Sequence, residues 1–247
     1  MTTVKEFNRH GEVLEDILQL RTSPVAVKML TKKTEIPAGA LRPKKDRHYH
    51  LAQCQAFALS RREGLTVAML KEDHWCPAAL MAYGMVPVPG GKNPPSLHPY
   101  DCFEYGKHIG VLTAPLKKAA FRPDVVIMYS NTAQLRSFLL SFGADDVPQV
   151  NGRFFPPSCA HLVVSPMLKG GYWSVLPDPG EATRAFADEG EIIFAMPAAK
   201  VPALTAGLDK FKDQMYAYRN SSYYLQGDFP RPDFYKKMFK GWGLEDY

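Results

Sequence analysis

Four cysteines, Cys54, Cys76, Cys102 and Cys159, are the side chains of this 247-residue chain best equipped for chemistry. Three of them, Cys54, Cys76 and Cys159, stand at or near the start of a predicted helix. Unpaired backbone N–H groups and the positive end of the helix dipole stabilise anions there. Both effects favour the thiolate, the form that binds a metal or attacks an electrophile. Ligands from three separate segments suit an iron–sulfur cluster or zinc, although paired C-x-x-C spacing is absent. Three thiolates on a four-iron cluster leave one iron open to a substrate, water or another ligand. Cys102, as a fourth thiolate, would close the site. The bland alternative makes each cysteine a small buried apolar residue.

Histidines form a competing constellation. His48 and His50 precede Cys54, His74 stands two residues before Cys76, His98 and His108 flank a long loop, and His161 follows Cys159 by two. They offer a mixed Cys/His metal site, a base for a single nucleophilic thiol, or solvent-facing loop side chains. The chain has no G-x-x-x-x-G-K-[ST], no G-x-G-x-x-G, no G-x-S-x-G and no H-E-x-x-H. Nucleotide-dependent chemistry and ordinary serine hydrolysis are therefore without support.

Composition narrows the class. Hydrophobic content of 46% and charged content of 22% are those of a globular protein. The net charge of +5 is mild. It suits a small anionic ligand and is too weak to argue for nucleic acid. The basic run from Arg42 to Arg47 reads as a solvated loop. The apolar runs fall short of the ~20 residues a spanning helix needs, so no membrane segment is expected. The first residues, Met1 to Asn8, lack an apolar signal core. A cytoplasmic location follows as the expectation, and there thiols stay reduced instead of forming disulfides.

The elements that must position these residues are legible in outline. Apolar spacing predicts a helix over 3–20, with Gly11 interrupting it, stopped by Arg21-Thr22-Ser23-Pro24. A strand over 25–30 and a turn-rich connector follow. A helix runs from near Leu51 to Arg62, closed by Gly64, and a strand covers 65–70. Cys76-Pro77 opens a short helix over 78–83, since proline suits the first helical turn. Residues 85–106 form a proline- and glycine-rich loop, expected to cover a cleft. Strands are predicted at 109–114, 125–129, 173–176 and 191–196, and helices at 132–142, 159–168 and 201–218, with a loop from Pro148 to Pro157. This alternation predicts an α/β or α+β domain built on a mixed sheet with helices. The domain is expected to span 1–217, followed by an aromatic-rich extension at 218–247. That extension either wraps its own domain or anchors a partner protein.

The chain also echoes itself. Pro24–Leu30 leads to Cys54, Ser60, Gly64 and a strand; Pro123–Tyr129 leads to Cys159, Ser165, Gly170 and a strand. In both copies the serine follows the cysteine by six residues. The layout suggests half-domains at 1–106 and 107–217, related by a pseudo-twofold that brings two thiols face to face.

Several segments together carry a family resemblance: Ser23-Pro24-Val25-Ala26-Val27-Lys28, Cys54-Gln55-Ala56, Cys76-Pro77, Phe121-Arg122-Pro123-Asp124-Val125-Val126, Cys159-Ala160 with Ser165-Pro166, and Ile192-Ile193-Phe194-Ala195-Met196-Pro197. Spread over about residues 10–215, they resemble an uncharacterised archaeal and bacterial family, domain of unknown function 169. The resemblance implies that Cys54, Cys76 and Cys159 share one site. It implies no activity. The chain departs from the pattern after Cys76, where Ala78-Ala79 stands in place of Gly-Gly.

The sequence thus leads to the expectation of a cysteine-ligated metalloprotein, with Cys54, Cys76 and Cys159 holding a four-iron cluster for redox or Lewis-acid chemistry on a small anionic substrate, or for electron transfer. The alternative is a non-catalytic accessory subunit that docks through its aromatic tail.

Overall fold

The computed structural model describes residues 2–88, 101–142, 148–152, 154, 156–219 and 231–244. They fall into two compact units, Met1–Lys212 and Asp213–Tyr247. The first unit is a mixed α/β structure. Seven strands among the described residues form one sheet: β1 (Val25–Leu30), β2 (Val67–Leu70), β3 (Gly110–Pro115), β4 (Val125–Ser130), β5 (Val150–Gly152), β6 (Tyr172–Val175) and β7 (Ile192–Pro197). Their order is β2-β3-β1-β4-β7-β6-β5. All neighbours are antiparallel except β5 and β6.

Helices cover both faces, which is why β1, β3 and β4 read as almost unbroken apolar runs. Val25, Val27, Val125, Ile127 and Ile193 point to one face. They meet α3 (Gln53–Glu63), α4 (Pro77–Ala82), α6 (Ser158–Lys169) and α7 (Pro179–Arg184) there. Alternate residues such as Ala26, Val126 and Phe194 are buried on the other face. That face carries α1 (Val4–Leu18), α5 (Thr132–Leu140) and the start of α8 (Val201–Arg219). Phe138 of α5 packs on Phe194 with ring centroids 4.2 Å apart.

The echo in the sequence is a twofold in the fold, with the first half running on through β3 to Pro115 and not ending at residue 106. Equating β1 with β4, β3 with β7 and β2 with β6 maps the order β2-β3-β1 onto β6-β7-β4. The axis passes between Ala26 and Val126, which pair directly. Val25 pairs with Pro115 in one half, and Val125 with Pro197 in the other. The Leu116 N–H donates to the Pro24 carbonyl, and the Ala198 N–H to that of Asp124. Gly64 and Gly170, both at positive φ, end α3 and α6 respectively. At those positions a side chain would be strained.

Local differences from the sequence reading have local causes. Gly11 does not interrupt α1: it lies on the buried face beside Phe7 and Leu14 and lets the helix touch backbone. A Cβ there would stand 2.6 Å from the Lys117 nitrogen. The strand expected from residue 65 starts at Val67. The expected loop after Pro148 contains β5, three residues long. The connector after β1 holds α2 (Pro43–Arg47). Helix α7, unforeseen, is capped by Asp178, whose carboxylate accepts from the Gly180 and Glu181 N–H groups. The second unit contains α9 (Asp233–Gly241), whose Phe234, Tyr235 and Met238 are exposed. The aromatics Tyr223, Tyr224, Phe229 and Tyr247 lie outside the described residues, as does His98. No helix among the described residues is long and apolar enough to cross a membrane.

Candidate thiolate site

Cys54 and Cys159 are each the second residue of their helix, α3 and α6. The twofold brings these two helix starts together on one face of the sheet. Both residues are buried, 4% and 5% exposed. Their thiols are neighbours and titrate together. The neighbouring Cys159 thiol pulls Cys54 below its ordinary pKa against the cost of burial. Cys159 is pushed well up by the Cys54 thiol and by burial. Cys54 is therefore the thiol that ionises first. Protonated, the Cys54 thiol donates to the Gly180 carbonyl oxygen on α7 at 3.7 Å.

Cys76 arrives by backbone pairing. Leu51, ahead of α3, bridges to His74: the Leu51 N–H donates to the Asp73 carbonyl and the Trp75 N–H to that of Leu51. The start of α3 and the segment leading to Cys76 therefore run side by side. Cys76 then occupies the cap position of α4 without making a side-chain cap bond. Its counterpart across the twofold is Asp178, which also precedes a proline at a helix start and spends its carboxylate on capping. Asp178 further accepts from the Ser158 N–H, locking α6 to α7. Cys76 makes no such cap, so capping does not explain a cysteine there.

Tyr83 belongs to the same core cluster as Cys54 and Cys159, with Cys76 packed against that cluster. It is fully buried, and its hydroxyl donates to the Cys159 carbonyl at 3.4 Å. Burial pushes its phenol well up, and charge on Cys159, Glu181, Cys76 and Cys54 adds to that in turn. All three cysteines singled out in the sequence thus stand within electrostatic reach of one phenol. Cys102 is half-buried against the same core, its thiol pushed up by burial and by Asp101.

The histidines divide. His48 is exposed, and His50 sits against Trp75 with ring centroids 5.3 Å apart. His108 meets the Phe103 ring edge-on. His161 bonds to Ser165 Oγ at 2.8 Å, and that hydroxyl lies 2.6 Å from Asp101. His74, two residues before Cys76, stands edge-on to Tyr83, and burial holds its imidazole down to about 4. Cys54 has the Gly180 carbonyl as its hydrogen-bond partner and a second thiol as its neighbour, and no histidine bonds to it among the described residues.

Two polar residues of the site carry no signal in the sequence. Glu181 on α7 is fully buried and accepts from the Tyr129 hydroxyl at 2.8 Å. Burial pushes its carboxyl well up, reinforced by charge on Cys54. Arg61, on α3, lays its guanidinium 3.9 Å from the Tyr129 ring centroid and donates to the Ala185 and Phe186 carbonyls. The run Asp178-Pro179-Gly180-Glu181 does announce a helix start, but not the burial of its last residue.

A bound group is tested by what these residues leave unmet. Both amide atoms of Gln53, both nitrogens of His74 and one oxygen of Glu181 are buried without a hydrogen-bond partner among the described residues. Each belongs to a segment that carries or touches one of the cysteines. Buried polar groups are normally satisfied, so the orphaned atoms fit a polar group bound near the thiols. The donor set, soft thiolates at helix starts, fits an iron–sulfur cluster in kind. Among the described residues, no three of His, Cys, Asp and Glu are grouped as for a single metal ion.

No curated protein and no solved structure matches this chain. The family model for domain of unknown function 169, described as Uncharacterised ArCR, matches residues 13–99 and 95–207. Since those two regions take in most of its length, the chain belongs to the DUF169 family.

Proposed function

We propose that Cys54, Cys76 and Cys159 are thiolate ligands of one iron–sulfur cluster of the four-iron type, with an iron left for a small anionic substrate. The observation that carries this reading is the Cys54–Cys159 pair across the twofold, with Cys76 sharing their neighbour Tyr83. Bound there, such a cluster supplies redox or Lewis-acid chemistry. The chain's own residues do the rest. The starts of α3 and α6 favour the anionic sulfurs. Gln53 and His74 offer unspent hydrogen bonds to whatever binds, and Glu181 holds a proton beside Cys54. Iron and acid-labile sulfide in protein purified without oxygen test the reading. Both should fall on Cys54→Ala, Cys76→Ala or Cys159→Ala substitution. Metal-free protein, unchanged by those substitutions, would sink it.

A second reading rests on the split between the two paired thiols. A low-pKa thiol beside a high-pKa one forms a dithiol that can close to a disulfide, giving two electrons and two protons to an acceptor. Reversible closure of Cys54 to Cys159 in metal-free protein, resolved by mass spectrometry, distinguishes this reading from the first. The accessory-subunit alternative draws on the exposed aromatics of α9 and would place the docking surface within 218–247.

A further inference from the structure

An open groove of about 830 Å³ lies where the chain passes from β1 towards α2. Ile36, Leu41 and Leu65 give it an apolar lining. Leu41 is fixed to the edge of β2: its N–H donates to the Thr66 carbonyl, and its own carbonyl accepts from Ala68. Four cations, Lys33, Arg42, Lys45 and Arg47, line the groove as well.

The nearby carboxylates are engaged elsewhere, and Asp46, which also lines the groove, keeps its charge while it accepts from backbone. Glu35 accepts from the Thr31 and Lys32 N–H groups and from Lys28, which hold its carboxyl down to about 2. Asp73 is fully buried and accepts from the Leu70 and Lys44 N–H groups and from Arg42. Glu72 pairs with Arg42, and Asp46 accepts from the Arg42 N–H. Arg42 is thereby neutralised. Lys33, Lys45 and Arg47 have no carboxylate within ion-pair distance among the described residues. The same bonds brace the turn at Lys33–Glu35 and helix α2. The three cations thus stand on fixed backbone beside an apolar floor, which spares a ligand the cost of ordering its site.

We propose that this groove binds a small organic anion with an apolar body: the body lies on Leu41, Ile36 and Leu65, and the anionic head faces Lys33, Lys45 and Arg47. It stands on residues separate from the thiolate site, so either reading can fail alone. The concave, largely apolar form with a few convergent charges is that of small-molecule sites generally.

Calorimetric titration of the full-length protein tests it, with octyl phosphate as probe and inorganic phosphate and octanol as the two half-ligands. Octyl phosphate should bind at one site per chain, at least about tenfold more tightly than either half-ligand, because head and body are each recognised. Lys45→Glu combined with Arg47→Glu should weaken it about tenfold or more. The control Lys5→Glu with Arg9→Glu, the same charge change on exposed positions of α1, should leave it unchanged. Leu65→Asp, which leaves all three cations in place, should also weaken it. Raising the salt from about 10 mM to about 1 M shortens screening from roughly 30 to 3 Å and should lower the affinity. No measurable binding, affinity equal to that of the half-ligands, or binding indifferent to the Lys45/Arg47 pair while the control matches it would overturn the proposal.

Discussion

Replacing Glu181 by glutamine should make this protein more stable at neutral pH than with its native residue, and the gain should vanish in acid. The carboxyl is fully buried, and its ordinary pKa is 4.5. Burial and the Cys54 charge raise it well above that in the folded chain. The folded state therefore keeps a proton that the unfolded state loses once the pH passes about 4.5. Stability contributed by this group is fully present below that point and is lost as pH rises towards the folded pKa. The limiting slope is about 1.4 kcal/mol per pH unit. Two units into the window, the native chain has lost roughly 2–3 kcal/mol that a non-ionising side chain retains. Glutamine preserves the shape and still accepts from the Tyr129 hydroxyl. Urea unfolding of both proteins, from about pH 4 to about pH 8, isolates the effect, because groups not coupled to Glu181 cancel in the difference and the coupled Cys159 thiol and Tyr83 and Tyr129 phenols titrate above that range. The variant's relative stability should climb with pH. Parallel curves would refute the reasoning. They would mean that Glu181 is ionised in the folded protein, with the Arg61 guanidinium compensating it.

Three further outcomes follow from the geometry. Cys159→Ala removes the neighbouring thiol that lowers Cys54, so the ultraviolet thiolate band of Cys54 should titrate at higher pH; Cys54→Ala should let Cys159 fall towards an ordinary thiol. Gly84→Ala places a side chain at φ +67° against the carbonyls of Phe103 and Glu104, and should cost about 2–4 kcal/mol in denaturant unfolding. Deleting residues 220–247 should abolish association with any partner captured by the full chain, while leaving the thermal midpoint of the first unit in place.

The sequence carried the frame because the frame is repeated. Cys-x5-Ser followed by a glycine and a strand occurs twice, and each copy is backed by a buried apolar strand. The pairing of Cys54 with Cys159 was legible only through that repeat, since nothing local joins residues so far apart. Cys76 was legible as the start of a helix, while its approach to Cys54 depends on a bridge between Leu51 and His74 that no periodicity announces. Helix α7 escaped because six residues beginning Pro-Gly give no apolar period. Glu181 and Arg61 escaped for a different reason. Their types are usually solvated, and only the closure of α7 over α3 puts both in the core. The basic run from Arg42 to Arg47, expected as a solvated loop, forms helix α2: Lys44 to Arg47 are exposed, while Arg42 is drawn in against Asp73 and Glu72.

The twofold also sets the order in which this molecule can be completed. Strand β1 does not pair with the next strand in the chain; it pairs with β3 and with β4. Its partner Pro115 lies 90 residues beyond Val25, and Val126 lies 100 beyond Ala26. Closures of that length are slow, since chain entropy is lost before contacts reward it. The first half carries its own three-stranded sheet and Cys54, so it can form as the chain emerges. Cys159 joins only when the second half docks along β4. If Cys54 and Cys159 share a bound group as proposed, that group can be gripped by both only after the halves have met, so its uptake would follow the docking of the second half.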